Sequence, residues 1–162
     1  MQRKVIIIGP AFPYRGGIAN FNNSLAKEYS NLGYDVKVFS FSMQYPSFLF
    51  PGTTQYESGS PPVNIQILSI INSINPFNWI KIAKMIKSEV PDYVVVRYWL
   101  PFMAPCLGTI ARLIRKKTKV IAITDNVIPH EKRLGDNLLT KYFVSMCDGF
   151  LTLSSSVLED LS

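Results

Sequence analysis

The sequence has little cysteine, little histidine and no long apolar run. Its 162 residues include two cysteines, Cys106 and Cys147, and one histidine, His130. Two cysteines are too few for a disulfide scaffold, and they lack zinc-ligand spacing, so we expect reduced thiols in the core. The apolar run near the amino terminus is ended by Gly9-Pro10, too early for a signal peptide, and no run approaches the roughly 18 to 20 apolar residues that span a bilayer. We therefore expect a soluble, cytoplasmic protein.

The sequence does contain enough apolar residues for a core and an excess of positive charge. Hydrophobic residues make up 48% of the chain and charged residues 17%. This balance excludes a disordered or low-complexity chain, and the length predicts a single domain over residues 1–162, or one half of something larger. Lys and Arg number 17 and Asp and Glu 11, which gives a net charge of +6. That sign favours anionic partners such as phosphates, nucleotides or acidic lipid head groups.

Short apolar runs alternate with amphipathic segments along most of the chain. The pattern predicts strands at residues 4–8, 35–41, 63–68, 92–97, 119–124 and 149–153, with helices at 18–32, from 76, from 101–105 to about 117, and at 135–146. Because such alternation requires crossover connections, we predict an α/β fold, a doubly wound and mostly parallel Rossmann-like sheet of about six strands. Residues 42–62 are predicted as a loop, in which Phe48-Leu49-Phe50 either packs onto the core or contacts a lipid.

The loop between the first strand and the first helix carries a glycine pair. Gly16-Gly17 directly precedes the helix, so unpaired N–H groups and the positive end of the helix dipole would point into the crevice at the carboxyl ends of the strands. Arg15 adds donors for a phosphate or a carboxylate. The spacing from Gly9 to this pair fits neither the dinucleotide fingerprint nor the P-loop. We interpret the loop as a site for an anion or polar ligand; the alternative is a simple turn.

Polar and aromatic residues follow the fifth and fourth predicted strands. Asp125 would act as a base or orient a sugar hydroxyl, close to Asn126 and Glu131, and His130 would bind a hydroxyl or a phosphate. This set is a poor one for a metal, and we expect none. The aromatic pair Tyr98-Trp99 either stacks on a sugar or base, or closes the end of the core.

Basic residues concentrate on two predicted helices. They are Lys81, Lys84 and Lys87 on the second helix, and Arg112, Arg115, Lys116, Lys117 and Lys119 around the end of the third. The simplest interpretation is two solvated faces; the alternative is a patch for acidic lipid head groups, hence peripheral contact with the inner face of a membrane. We expect no nucleic-acid partner, because no known motif or stacking platform accompanies the charge.

Three segments in order resemble glycosyltransferase family 4. The opening of the chain, residues 4–10 with Tyr14-Arg15-Gly16-Gly17-Ile18-Ala19, is similar to the start of that family. Residues 123–131 resemble its loop after the fifth strand, and residues 147–154 resemble a later strand followed by serine. The resemblance covers nearly the whole chain.

The resemblance implies a fold, a reaction and partners. Family members have two Rossmann-like domains that face each other across a cleft, the GT-B arrangement, and this chain would be the amino-terminal, acceptor-side domain without its carboxyl-terminal donor-binding domain. The implied substrates are a nucleotide sugar and a glycan or lipid-linked acceptor, as in surface polysaccharide synthesis, with no metal or other cofactor. Asp125, where many members have His, would be the catalytic or positioning residue. The resemblance also implies a hexosyltransferase that is inactive as this chain alone.

Two other classes of protein stay open. An oxidoreductase or epimerase that uses a dinucleotide shares the predicted architecture. It needs a tighter glycine fingerprint and an acidic residue at the end of the second strand, where Phe39-Ser40-Phe41-Ser42 supplies none. The third class is a non-catalytic domain that docks on a membrane or on nucleic acid through its charge.

Overall fold

The computed structural model describes residues 2–49, 55–125 and 134–153. In these residues the strands are β1 (Lys4–Ile8), β2 (Asp35–Met43), β3 (Gln66–Asn72), β4 (Tyr93–Tyr98), β5 (Lys119–Thr124) and β6 (Gly149–Thr152). The α-helices are α1 (Gly17–Asn31), α2 (Pro76–Glu89), α3 (Ala104–Ile114) and α4 (Asp136–Val144), and short 3-10 turns occupy Ser47–Leu49 and Pro101–Met103.

The strands form one parallel sheet in the order β3-β2-β1-β4-β5-β6. Its register places Ile6 of β1 between Lys37 of β2 and Val94 of β4. The chain adds β2 and β3 on one side of β1, and β4, β5 and β6 on the other. The predicted doubly wound Rossmann-like sheet is confirmed, and its strand order reverses between β1 and β4.

The helices cover both faces of the sheet because the strand side chains alternate. Ile6 and Ile8 point into a core shared with α2, α3 and α4, whereas Val5 and Ile7 point into a second core beneath α1. All four side chains are fully buried. A strand that is apolar on both faces is typical of a central parallel strand, as the sequence predicted.

The start of α2 follows the predicted capping pattern. The Asn75 side chain accepts hydrogen bonds from the backbone N–H groups of Phe77 and Asn78, at 3.0 and 3.2 Å. Pro76 occupies the first helical position, where no N–H is needed. The predicted inward face is confirmed, since Ala83 and Ile86 are buried.

Some predicted boundaries and faces were wrong. The third strand begins at Gln66 rather than Val63, because Asn64 has a positive φ of 66° and forms a turn. The third helix ends at Ile114 instead of Lys117. Leu32, assigned to the inner face of α1, lies beyond the helix and is exposed next to Gly33, whose φ of 85° turns the chain. Among the described residues, no helix is long and apolar enough to cross a bilayer.

Candidate active site

The candidate site lies where the strand order of the sheet reverses. In doubly wound sheets, the crevice at the carboxyl ends of the strands opens at this point, because the connections from the two neighbouring strands leave in opposite directions. Here those strands are β1 and β4, which end at Ile8 and Tyr98. The glycine loop follows β1 and Trp99 follows β4, so the fold brings together two features that are far apart in the sequence.

The glycine loop begins in a space that admits no side chain. A Cβ atom at Gly9 would lie 2.6 Å from Asn22 Nδ2 and 2.9 Å from Arg97 Cβ. The loop is then held from both sides: the Asn22 amide donates to the carbonyl of Pro10 at 2.8 Å, and the Ala11 N–H donates to Ser40 Oγ at 3.1 Å. The backbone after β1 is therefore fixed before any ligand arrives.

The far half of the glycine loop is paired with a distant part of the long loop. The Arg15 N–H donates to the Gln55 carbonyl at 3.0 Å, and the Glu57 N–H donates to the Pro13 carbonyl at 2.9 Å. The rings of Tyr14 and Tyr56 contact each other, with centroids 5.1 Å apart. No sequence pattern indicated this pairing, which builds one wall of the site.

The amino terminus of α1 is open as the sequence predicted. Gly16 has a φ of 114°, which favours glycine, and no side chain caps the helix. A Cβ at either Gly16 or Gly17 would meet no atom within 4 Å, so there is free space around both residues. The first turn of α1 has no acidic residue. The partial positive charge of the helix end and its N–H groups are therefore available to an anion or a polar ligand.

A cavity of about 450 Å³ adjoins this helix end. Its lining combines the glycine loop with residues from three other segments: Pro10, Tyr14, Arg15, Gly16, Gly17, Ile18, Ala19, Gln44, Tyr45, Gln55 and Trp99. Of the predicted site residues, the structure thus brings together Arg15, Gly16, Gly17 and Trp99. A cavity of this size, with aromatic walls and a few polar groups, is typical of small-molecule sites.

The aromatic wall of the cavity is fixed by hydrogen bonding. The Trp99 indole N–H donates to Tyr45 Oη at 2.7 Å, and the indole packs edge-on against Phe41, with centroids 6.1 Å apart. Burial raises the pKa of both Tyr45 and Tyr14, so both phenols stay protonated at neutral pH. A rigid, uncharged aromatic wall beside polar donors suits the face of a sugar or a base.

Tyr98, the neighbour of Trp99, does not belong to the cavity. Its ring stacks on Phe143 with centroids 4.3 Å apart, and its hydroxyl is hydrogen-bonded to Thr140. The side chain is fully buried. The two interpretations of this aromatic pair therefore divide: Tyr98 closes the core and Trp99 lines the crevice.

Asp125 is held by Arg97 at the carboxyl ends of β5 and β4. Arg97 Nε donates to Asp125 Oδ2 at 2.6 Å, and Nη2 donates to Oδ1. Arg97 is only 3% exposed, and its guanidinium lies 4.3 Å from the centre of the Phe21 ring. Because both carboxylate oxygens accept from one guanidinium, this geometry fits a positioning role for Asp125 better than that of a base.

Several predicted site residues lie outside the described residues. These are Asn126, His130 and Glu131. The described residues contain no group of three His, Cys, Asp or Glu side chains that could hold a metal ion.

Sequence reasoning missed four residues of the site. Gln44, Tyr45 and Gln55 come from the irregular segment, where no periodicity marks an inward position. Asn22 is buried on α1 and anchors the glycine loop. Its signal was available, because it is a polar residue one turn from apolar positions of the same helix face.

The fold and the site define a doubly wound α/β domain with a polar, aromatic-walled crevice at its topological switch point. The sequence model described as Glycosyltransferase Family 4 matches residues 15–162. The chain therefore belongs to glycosyltransferase family 4, and the resemblance noted in the sequence is confirmed. A search of the curated proteins finds no match.

Solved structures with the same fold include sugar-nucleotide enzymes. One is the lipopolysaccharide outer core galactosyltransferase WaaB in its apo form, at 14% identity and a TM-score of 0.63, covering 98% of this chain and 41% of that one. An α-glucosyltransferase in complex with UDP and DNA has 11% identity and a TM-score of 0.63, covering 94% and 38%. UDP-N-acetylglucosamine 2-epimerase from Rickettsia bellii has 14% identity and a TM-score of 0.62, covering 99% and 41%. The chain thus spans about two fifths of each of these proteins.

Proposed function

We propose that this chain is the acceptor-side domain of a glycosyltransferase that uses a nucleotide sugar. The observation that carries the proposal is the cavity at the end of α1, which joins an uncapped helix amino terminus, Arg15 and the Trp99 wall. In a family 4 enzyme such a site serves a reaction in which negative charge develops on the phosphate that leaves the sugar. The family membership of the chain and the sugar-nucleotide enzymes of the same fold support this assignment.

Each group of the site has a proposed role. The N–H groups at Gly16-Gly17 and the guanidinium of Arg15 stabilise negative charge on the donor phosphate or on an anionic acceptor. Trp99 packs against a sugar ring. Asp125, fixed by Arg97, positions the start of the segment that contains Asn126, His130 and Glu131. The proposed reaction is hexosyl transfer without a metal cofactor.

The proposed setting is the synthesis of a surface polysaccharide or a lipid-linked glycan. The donor-binding residues would belong to a second, carboxyl-terminal domain, the partner that completes the GT-B cleft. We place the protein in the cytoplasm with peripheral contact to the inner face of an acidic membrane, where a lipid-linked acceptor is available. The net charge of +6 supports this setting.

A transfer assay tests the proposed function. A panel of UDP- and GDP-sugars is incubated with membrane glycolipid extracts, and the released nucleoside diphosphate and the labelled glycan are measured. We expect transfer by the complete gene product and none by residues 1–162 alone, because the donor-binding half would be missing from the shorter chain. Comparable rates from the two chains would refute the division of labour between two domains.

Variants of Arg15 test the site itself. We expect Arg15→Ala in the complete gene product to lower kcat/KM about 10- to 100-fold, the range for the loss of a hydrogen bond to a charged group. Lys27→Ala removes the same charge from an exposed position on α1 and serves as the matched control. Equal activity of the two variants would remove Arg15 from the site.

The fold also suits an epimerase, and one of the structures with the same fold is a UDP-N-acetylglucosamine 2-epimerase. The complete gene product used in the transfer assay separates the two reactions. Incubation of UDP-N-acetylglucosamine in the absence of any acceptor would yield its 2-epimer if the chain were part of an epimerase. A transferase leaves the configuration of the donor unchanged.

A further inference from the structure

The start of α2 presents apolar side chains to solvent. Phe77 is 84% exposed, and Ile74 and Ile80 are about half exposed. Phe77 and Ile80 are three residues apart on the helix, so they share its outer face, whereas Ile82 and Ile86 of the inner face are buried in the core. This is an unusual position for a phenylalanine, because the same helix has already placed its inner apolar face against the sheet.

The exposed residues are held outward by a rigid turn. The side chain of Asn72 accepts from the Ile74 N–H at 3.1 Å, and that of Asn75 accepts from the Phe77 N–H at 3.0 Å. The Asn78 side chain accepts from the Asn72 N–H at 2.8 Å, which ties the first turn of α2 to the end of β3. The apolar side chains therefore do not have a loop that could fold them back into the protein.

Two lysines continue the same face and have no acidic neighbours on the helix. Lys81 and Lys84 are exposed, and each follows an exposed apolar residue by one turn. The one acidic residue of α2 is Glu89, whose carboxylate oxygens contact Lys4 at 3.1 Å and Lys37 at 2.6 Å. Within the described parts of the chain, neither Lys81 nor Lys84 forms an ion pair.

This surface lies at the same end of the sheet as the cavity. Because all strands are parallel, the carboxyl end of β3, from which α2 starts, is at the edge where β1, β2 and β4 open into the cavity. The loop after β2, the neighbour of β3, adds Phe48, which is 78% exposed, whereas Phe50 lies outside the described residues. A partner seated here would contact the end of the molecule at which the acceptor binds.

We propose that Ile74, Phe77, Ile80, Lys81 and Lys84, together the α2 face, dock on an anionic lipid bilayer. Phe77 and its apolar neighbours enter the boundary between head groups and acyl chains, and the two lysines contact anionic head groups. The inference rests on the proposed function, because it places the cavity near a lipid-linked acceptor. It deepens that function by naming the surface that contacts the membrane.

The charge of the α2 face favours a membrane over a protein partner. Lysine is depleted from protein–protein interfaces relative to the rest of the surface, whereas lysines beside apolar side chains are typical of helices that lie on anionic membranes. The basic cluster at the end of α3, with Arg112 and Lys116, has charge without the exposed aromatic residue. We therefore assign membrane contact to α2 and not to that cluster.

Vesicle cosedimentation tests the proposal on the purified chain, with no need for sugar transfer. We expect binding to phosphatidylcholine vesicles that contain phosphatidylglycerol, weak binding to phosphatidylcholine alone, and a decrease of binding at high salt. Phe77→Ser and the double change Lys81→Glu with Lys84→Glu should each weaken partition at least about tenfold, because the first removes the inserted ring and the second reverses two charges near the surface. Circular dichroism checks that each variant is folded.

Matched controls distinguish the α2 face from general stickiness and charge. Leu32→Ser removes another exposed apolar residue, and Arg112→Glu with Lys116→Glu makes the same change of net charge at the other cluster. Both controls should bind within about twofold of the parent chain. Equal loss in the controls, or equal binding of the parent chain to neutral and anionic vesicles, would overturn the proposal. So would a dimer in sedimentation velocity that Phe77→Ser dissociates, because the α2 face would then bind a second copy.

The outcome is separable from that of the transfer assay. If vesicle binding fails while the complete gene product still transfers sugar, the docking surface is wrong and the proposed function stands. If vesicle binding through the α2 face holds while no nucleotide sugar is used, the reverse is true.

Discussion

Single residues at the carboxyl ends of β4 and β5 form the most constrained part of the candidate site. Arg97 is buried, its Nη1 has no hydrogen-bond partner among the described residues, and its side chain lies between Phe21 and Gly9. Asp125, 22% exposed, is its partner at the edge of the crevice. The sequence predicted Asp125 as a site residue from its place after a strand. It could not predict that Arg97, 28 positions earlier, would occupy both carboxylate oxygens.

The ion pair between Arg97 and Asp125 predicts strong energetic coupling. We expect Asp125→Ala to lower the free energy of unfolding by about 2–4 kcal/mol, because it leaves a buried guanidinium without its anion. Arg97→Met combined with Asp125→Ala should cost clearly less than the sum of the two single changes. Urea denaturation of the four chains measures this. Additive costs would show that the pair is not coupled.

An exposed ion pair provides the control for this cycle. Asp35 lies 3.8 Å from the Lys4 ammonium, and its side chain is 43% exposed. Asp35→Ala should therefore cost no more than about 0.5–1 kcal/mol.

At the scale of elements, the ends of helices and strands are tied together by groups that the sequence pattern did not mark. The irregular segment after β2 folds back so that Gln55 and Glu57 pair with the glycine loop. At the opposite end of the sheet, Glu89 at the end of α2 contacts Lys4 of β1 and Lys37 of β2. Such contacts cross between elements that are distant in sequence, so no local periodicity predicts them.

The Glu89 contacts predict a dependence of stability on pH. Hydrogen bonds from Lys37, and then from Lys4, lower the pKa of the Glu89 carboxyl below its ordinary value. The contribution of Glu89 is therefore complete above the pKa of the unfolded chain and is lost as the pH falls through the lower, folded pKa. Glu89→Gln should reduce the free energy of unfolding by about 0.5–1 kcal/mol at neutral pH, with a difference that shrinks in acid.

Urea denaturation at neutral pH and at acidic pH measures this difference. Glu28→Gln, a change of an exposed residue on α1, should show no comparable loss at either pH. A difference for Glu89→Gln that grows as the pH falls would contradict the assignment.

At the scale of the whole molecule, the two-layered core accounts for the two cysteines. Cys106 is fully buried, and Cys147 is partly buried and packs against the same core. Both are free, as the sequence predicted from their apolar surroundings. Their different burial makes them reporters of different degrees of opening.

Burial raises the pKa of both thiols to about 12, which suppresses their reactivity in the folded chain. We expect Ellman's reagent at mildly alkaline pH to titrate no fast-reacting thiol in the native chain and both thiols in concentrated guanidinium chloride. A Cys147→Ser variant isolates Cys106, which should react only as fast as the whole domain unfolds. Rapid native reaction of that variant would show that the core opens locally.

The sequence by itself determined the alternation of strands and helices, the central strand buried on both faces, the cap of α2, the open glycine pair of α1 and the family. These features are set by local periodicity, by residue-specific backbone preferences and by short motifs, all of which are written in neighbouring residues. Only the tertiary structure decided that Arg97 holds Asp125, that Trp99 and not Tyr98 lines the crevice, and that Gln44, Tyr45 and Gln55 complete it. Those outcomes depend on which side chains meet across elements that are distant in sequence, and contact at that range follows from packing of the whole sheet.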